Sequence, residues 1–188
     1  MSIANKIVYL LSNVGNLVSA GKLVGMFDIK AASTFLDYFS FYQQSYLLEF
    51  VPIFSYSLKV QSRNPKKVYA MDLRLVNEAS ANFSDATGHK LENLIFLHLR
   101  RKPGNIYYYK EKGECDFIVA EKGKVLHAIQ VCHQITEQNF TREYNGLLEA
   151  MKAFNLQEGT IVTTNQTDSF EEDGRHIRLI PANRFLLS

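Results

Sequence analysis

Gly88–His133 reads GHKLENLIFLHLRRKPGNIYYYKEKGECDFIVAEKGKVLHAIQVCH, and this stretch decides the fold. Leu91, Leu94, Ile95, Leu97 and Leu99 build a strongly apolar helix that stops at Arg100-Arg101-Lys102 and Pro103-Gly104. Basic residues in a last turn suit the negative end of the helix dipole. Ile106–Tyr109 then reads as a strand, Cys115–Ala120 as a second, and the turn Glu121–Lys124 delivers a third over Val125–Cys132. A helix and three strands leave few polar residues on inward positions: Glu92, Asp116 and Gln130.

Downstream, Phe140–Phe154 is an amphipathic helix through Tyr144, Leu147, Leu148 and Met151. The β-branched run Gly159–Thr163 and the segment His176–Ile180 are two more strands. Hairpins followed by a strand–helix–strand crossover specify an α+β domain, with one mixed sheet flanked by helices.

Upstream, Ile3, Ile7, Leu10, Leu11, Val14 and Leu17 recur at helical spacing with a break at Gly15-Asn16. Ser19 is an N-cap for a short second helix. A third runs from about Lys30 to Tyr46, and 47–51 and 53–57 read as strands around Pro52. This is the order of a winged helix-turn-helix, assigned to residues 1–62. The polar, basic segment Gln61–Lys67 reads as the joint, and 63–188 as the second domain. Val68–Met71 is expected to be a short strand, 72–78 a helical turn and 79–87 a polar loop.

Gly15–Leu23 resembles a phosphate-binding loop but fails on spacing, with five residues between its glycines. Leu23 also replaces the hydroxyl residue that would hold magnesium. In a winged helix the third helix enters the DNA major groove. Here it offers Lys30, Ser33, Thr34 and Tyr38 but no arginine. Net charge is +2, so nucleic-acid affinity has to come from local patches. Arg63, Lys66 and Lys67, with Arg100, Arg101 and Lys102, are the candidate phosphate contacts. Two cysteines make no disulfide framework, and the composition fits a cytoplasmic protein with reduced thiols. No apolar run approaches the ~20 residues of a membrane span.

The segments KVYAMDLRLVN (67–77), GHKLENLIFLHLRR (88–101), IYYYK (106–110), GECDFIV (113–119) and IQVCHQI (129–135) resemble the C-terminal part of a bacterial and archaeal AAA-type ATPase family. That part carries the domain of unknown function numbered 4143, and it looks like a restriction-endonuclease-like, PD-(D/E)xK fold. The resemblance implies a P-loop ATPase domain, then a winged helix, then the nuclease-like domain. Its partners would be the missing ATPase domain, DNA or a second copy of the chain. It also implies Asp116, Glu92 and the residue at 130 as the metal-facing group, with Mg or Mn as cofactor. Two motifs depart from the family. Its Asp-Thr-Gly-Leu is Asp72-Leu73-Arg74-Leu75, and its Gln-Val-Lys is Gln130-Val131-Cys132.

The second departure bears on chemistry. In such nucleases the lysine positions the attacking water and offsets charge on the phosphorane, and losing one such contact costs roughly 10²–10³ in rate. A neutral thiol is a weak donor and a poor partner for magnesium. His133 points to the opposite face of its strand, while Lys110 and Lys112 are candidates to migrate into the role. The expectation is therefore a degenerate site, with an active DNA endonuclease and a dimerisation module as alternatives. The site requires Asp116 and Gln130 to face each other across two strands, because a one-residue slip sends every side chain to the other face.

Overall fold

A computed structural model describes residues 3–29, 31–79 and 87–188. Eight helices and nine strands are described, divided between two compact units, residues 1–93 and 94–188. No helix among the described residues is long and apolar enough to cross a membrane.

The first unit runs α1 (Ile3–Ser12), β1 (Leu17–Val18), α2 (Ala20–Phe27), α3 (Ala32–Gln44), β2 (Leu48–Val51), α4 (Leu58–Arg63), β3 (Lys66–Ala70) and α5 (Leu73–Ala79), and it takes in the start of α6 (Thr87–Leu99). The strands form one antiparallel sheet in the order β1-β3-β2, with Leu17 opposite Lys67 and Leu48 opposite Ala70. Helical spacing brings Leu10, Leu23, Phe35, Phe39 and Tyr42 to one core, closed by Leu48, Phe50, Val68 and Tyr69. Phe39 stacks on Phe50 with centroids 4.0 Å apart. Each such ring contributes about 1.5–3 kcal/mol by burial. The Ser19 side chain caps α2 by accepting from the Lys22 N–H, as its sequence position predicts.

Four expectations need correction here. Helix α1 ends at Ser12, and Leu17, expected on it, is instead in a strand. The strand expected over 53–57 is absent, since only Ile53 makes an isolated bridge before α4 begins at Leu58. Within the expected joint, 61–63 close α4 and 66–67 open β3. The second strand pairing with β2 is β3, and β3 is the middle strand of the sheet, so a cut between 62 and 63 separates strands that are hydrogen-bonded to each other. Lys30 and most of the expected loop at 79–87 lie outside the described residues.

The second unit contains β4 (Asn105–Lys110), β5 (Glu114–Glu121), β6 (Lys124–Val131), α7 (Phe140–Ala153), β7 (Glu158–Thr163), β8 (Asp168–Glu172), β9 (Arg175–Pro181) and α8 (Ala182–Phe185). Its six-stranded mixed sheet has the order β4-β5-β6-β7-β9-β8. The β4/β5 and β5/β6 pairs are antiparallel, β6/β7 and β7/β9 are parallel, and β8 returns antiparallel to β9. The five expected strands are all present. The sixth, β8, escapes a hydrophobicity reading because its sequence DSFEE has one apolar residue. Lys122 (φ 50°) and Gly123 (φ 81°) make the two-residue β5–β6 turn with the left-handed backbone that tight hairpins require.

Helix α7 supplies the β6-to-β7 crossover and lays Tyr144, Leu147, Leu148 and Met151 on the core. Its close seat on the β4–β5 turn depends on Gly146, where a Cβ would stand 2.2 Å from the Glu114 carbonyl oxygen. Glu149 locks that seat by accepting from the backbone N–H groups of Lys112 (3.1 Å) and Gly113 (2.8 Å) and from the Tyr109 hydroxyl (3.1 Å).

Candidate functional site: two buried carboxylate clusters

Strand register settles the geometric requirement on the second unit. Phe117 lies opposite Ile129 and Ile118 opposite Ala128, which places Asp116 opposite Gln130. Both are buried, 6% exposed each. The Asp116 backbone N–H donates to Gln130 Oε1 (3.1 Å), and Asp116 Oδ2 accepts from the Val131 N–H (2.8 Å).

The other end of Gln130 reaches a residue that the strand pattern did not indicate. Its Nε2 donates to Glu143 Oε2 at 2.6 Å. Glu143, 4% exposed, sits in the first turn of α7. Its Oε1 accepts from Nε of Arg142 (3.0 Å) and from Nη2 of the same side chain. Hydrogen bonding to Glu143, then its charge, raises the pKa of the Arg142 guanidinium. The cluster is therefore a chain, Asp116–Gln130–Glu143–Arg142, that begins in the sheet and ends at a largely exposed cation. A signal for Glu143 exists in the sequence. Glu143, Leu147 and Met151 recur at four-residue spacing, so an acid occupies the first position of an otherwise apolar stripe.

Cys132 lies beside this chain. Its Sγ donates to the Gln134 carbonyl (3.1 Å) and accepts from Asn139 Nδ2 (3.5 Å). Burial, then the charge of Glu143, pushes the thiol above its ordinary value, so it is neutral at physiological pH. Neither lysine considered as a substitute makes a bond to the chain. Lys110 pairs with Glu114 at 3.0 Å on the surface, and the Lys112 backbone serves Glu149. The His133 ring is hydrogen-bonded to the Thr164 hydroxyl.

Glu92 belongs to the first unit. It is 6% exposed, and its Oε1 accepts from Lys67 Nζ (3.1 Å) and from the Tyr69 hydroxyl (2.6 Å). His89 Nδ1 lies 3.9 Å from Oε2. Burial acts to raise the Glu92 pKa, but the Lys67 charge, with hydrogen bonds from His89, Tyr69 and Lys67, holds it below the usual carboxylate range. The neighbouring Asn93 is fully buried and bonds both backbone groups of Ala70, accepting from its N–H (2.7 Å) and donating to its carbonyl (2.9 Å).

The candidate phosphate contacts divide in the same way. Lys67 is 2% exposed and committed to Glu92, so it is not a surface cation. Lys66 is half-buried, donates to the Gln61 carbonyl (2.9 Å), and has its pKa lowered by burial. Arg63, Arg100, Arg101 and Lys102 are exposed, and Lys102 Nζ donates to the Ser188 carbonyl (2.7 Å). Burial, then the charges of Lys102 and Arg101, lowers the pKa of His98, a sign of positive potential at that helix end.

Asp116, Glu143 and the Gln130 carbonyl are a thin oxygen set for magnesium or manganese. These ions want several free hard oxygens. Asp116 Oδ2 and both Glu143 oxygens are already committed to protein donors, and no group of three His, Cys, Asp or Glu residues arranged for a metal occurs among the described residues.

Sequence comparison places the chain among relatives. It is 30% identical over 189 aligned positions to "Uncharacterized protein MJ1544" of Methanocaldococcus jannaschii, an alignment covering 94% of this chain and 42% of that protein. The chain thus spans less than half the length of this relative. No solved structure matches it. A family model matches residues 87–185, from the first residue of α6 through the last of α8, and the chain belongs to that family, described as Domain of unknown function (DUF4143).

Proposed function

We propose that this chain is the C-terminal module of an AAA-type ATPase of the cytoplasm, a winged helix followed by a nuclease-like domain that recognises DNA without cutting it. The three helices α1–α3 with the β1-β3-β2 sheet of the first unit, whose β2–β3 connection carries the short α4, and the mixed sheet of the second support that reading, as does the greater length of the archaeal relative. One observation carries the non-cleaving half. The polar chain from Asp116 to Arg142 is hydrogen-bonded from one end to the other, and a neutral Cys132 stands where a nuclease of this shape would keep its lysine.

The test joins binding to cleavage. Purified protein should retain duplex DNA at low salt and release it as salt rises, with log K falling by about 0.9 per log salt for each phosphate contact. Supercoiled plasmid incubated with Mn²⁺ should stay intact. Nicking by the native chain that Asp116→Ala abolishes would establish the endonuclease alternative instead. A second reading, a dimerisation module, draws on Leu36, Phe41 and Tyr46 of the first unit, which are 45%, 61% and 70% exposed. Light scattering over a concentration series separates it, since a monomer throughout rules it out.

A further inference from the structure

The connection between β2 and β3 is built unlike the rest of the first unit. It contains α4, a helix with no buried side chain. Its apolar side chains face solvent instead: Tyr56 is 82% exposed, Leu58 79% and Val60 41%. Local polar bonds hold the segment in shape. Gln61 Nε2 donates to the Ser55 carbonyl (2.7 Å), and Asn64 Nδ2 donates to the Val60 carbonyl (2.9 Å). A six-residue helix has little stability of its own, so these bonds and the flanking strands order it.

Charge indicates what would cover it. From Phe50 to Met71 there is no aspartate or glutamate, while Lys59, Arg63, Lys66 and Lys67 fall within the same run. Lys67 turns inward to Glu92 and Lys66 to Gln61. Lys59 and Arg63 stay exposed and are in no ion pair among the described residues. Four residues apart, they share one face of α4, with Cβ atoms roughly 5–6 Å from each other. Two unpaired cations beside an exposed tyrosine and leucine, with no acid in the run, complement a polyanion that also offers apolar surface.

We propose that this β2–β3 connection is a duplex-nucleic-acid contact, with Lys59 and Arg63 on phosphates and Tyr56 and Leu58 against the sugars. The assignment rests on the DNA-recognition reading above and deepens it. It names Lys59, Tyr56 and Leu58, which the sequence pattern did not single out, and it leaves out Lys67.

The experiment is a salt series of fluorescence anisotropy on a labelled duplex, using the full chain and three variants. Lys59→Gln/Arg63→Gln should weaken binding roughly tenfold at about 50 mM salt and reduce the log–log salt slope by about 2. Tyr56→Ala/Leu58→Ala should weaken it with the slope unchanged, because no charge is removed. Unchanged circular dichroism is expected for both, as α4 buries nothing. Arg100→Gln/Arg101→Gln reports on the second unit. Native binding that Lys59→Gln/Arg63→Gln leaves intact overturns this inference while the DNA reading stands. No binding by the native chain at low salt overturns the DNA reading itself. Competition by polyglutamate as strong as by DNA overturns the duplex assignment in favour of an acidic protein partner.

Discussion

Each unit buries a carboxylate and gives it a cation, but the two do so from opposite directions. In the first, Lys67 lies on a central strand and is as buried as Glu92, side chains 3% and 8% exposed. In the second, Arg142 comes from a helix and leaves most of its side chain in water, 79% exposed, while Glu143 beneath it is 6% exposed. A fully buried pair cannot be solvated when one partner is removed, whereas a pair with one wet member can. The first cluster is therefore a structural fixture. The second has a buried floor and a solvent-exposed outer residue.

Stability measurements can break this comparison. Removing the Lys67 ammonium with Lys67→Met should have the largest effect, roughly 3–5 kcal/mol in urea unfolding followed by circular dichroism, because it strands a buried carboxylate. Its pH dependence is distinctive. The native Glu92 pKa is depressed, so its contribution is present above the unfolded carboxylate value of about 4.3 and is lost as pH falls through the folded value. Without Lys67 burial raises that pKa, and the variant should recover stability as pH drops from neutral towards about 5. A variant that only loses stability with acid would show that Lys67 is not what holds Glu92 ionised.

A smaller loss is expected for Glu143→Leu, about 1–3 kcal/mol, since the buried Gln130 amide then loses its acceptor. Arg142→Ala should cost least, below about 1 kcal/mol, because its largely exposed side chain covers Glu143 and its removal opens that carboxylate to water. If thermal and urea unfolding gave Arg142→Ala a cost equal to that of Lys67→Met, the contrast between the two clusters would collapse.

Much of the second unit was legible because its central strands are short apolar, β-branched runs and its turns carry Gly123 and Pro103-Gly104. The Asp116–Gln130 pairing was a requirement that the turn alone does not meet: Glu121 opposite Lys124 and Ala120 opposite Val125 would put Asp116 across from Ile129, and an irregularity between Val119 and Ala120 shifts the register by one to Gln130. The first unit was harder. Helix α4 buries no side chain, so neither apolar period nor burial distinguished it from a strand or a linker. Strand β8 was invisible because an edge strand needs backbone partners more than apolar side chains.

The sequence by itself determined the α+β class, the helix–three strands–helix order from α6 to α7 and the neutral residue at position 132, because these follow from local periodicity and residue identity. Only the tertiary structure decided what each buried charge is for. Lys67 and Glu92 are 25 residues apart, and Gln130 and Glu143 belong to a strand and to a helix that crosses behind it. Whether a lysine is a phosphate contact or an internal counter-ion depends on which side of its strand the core lies. That is fixed by the pairing of β3 between β1 and β2, a long-range choice that no local run of residues contains.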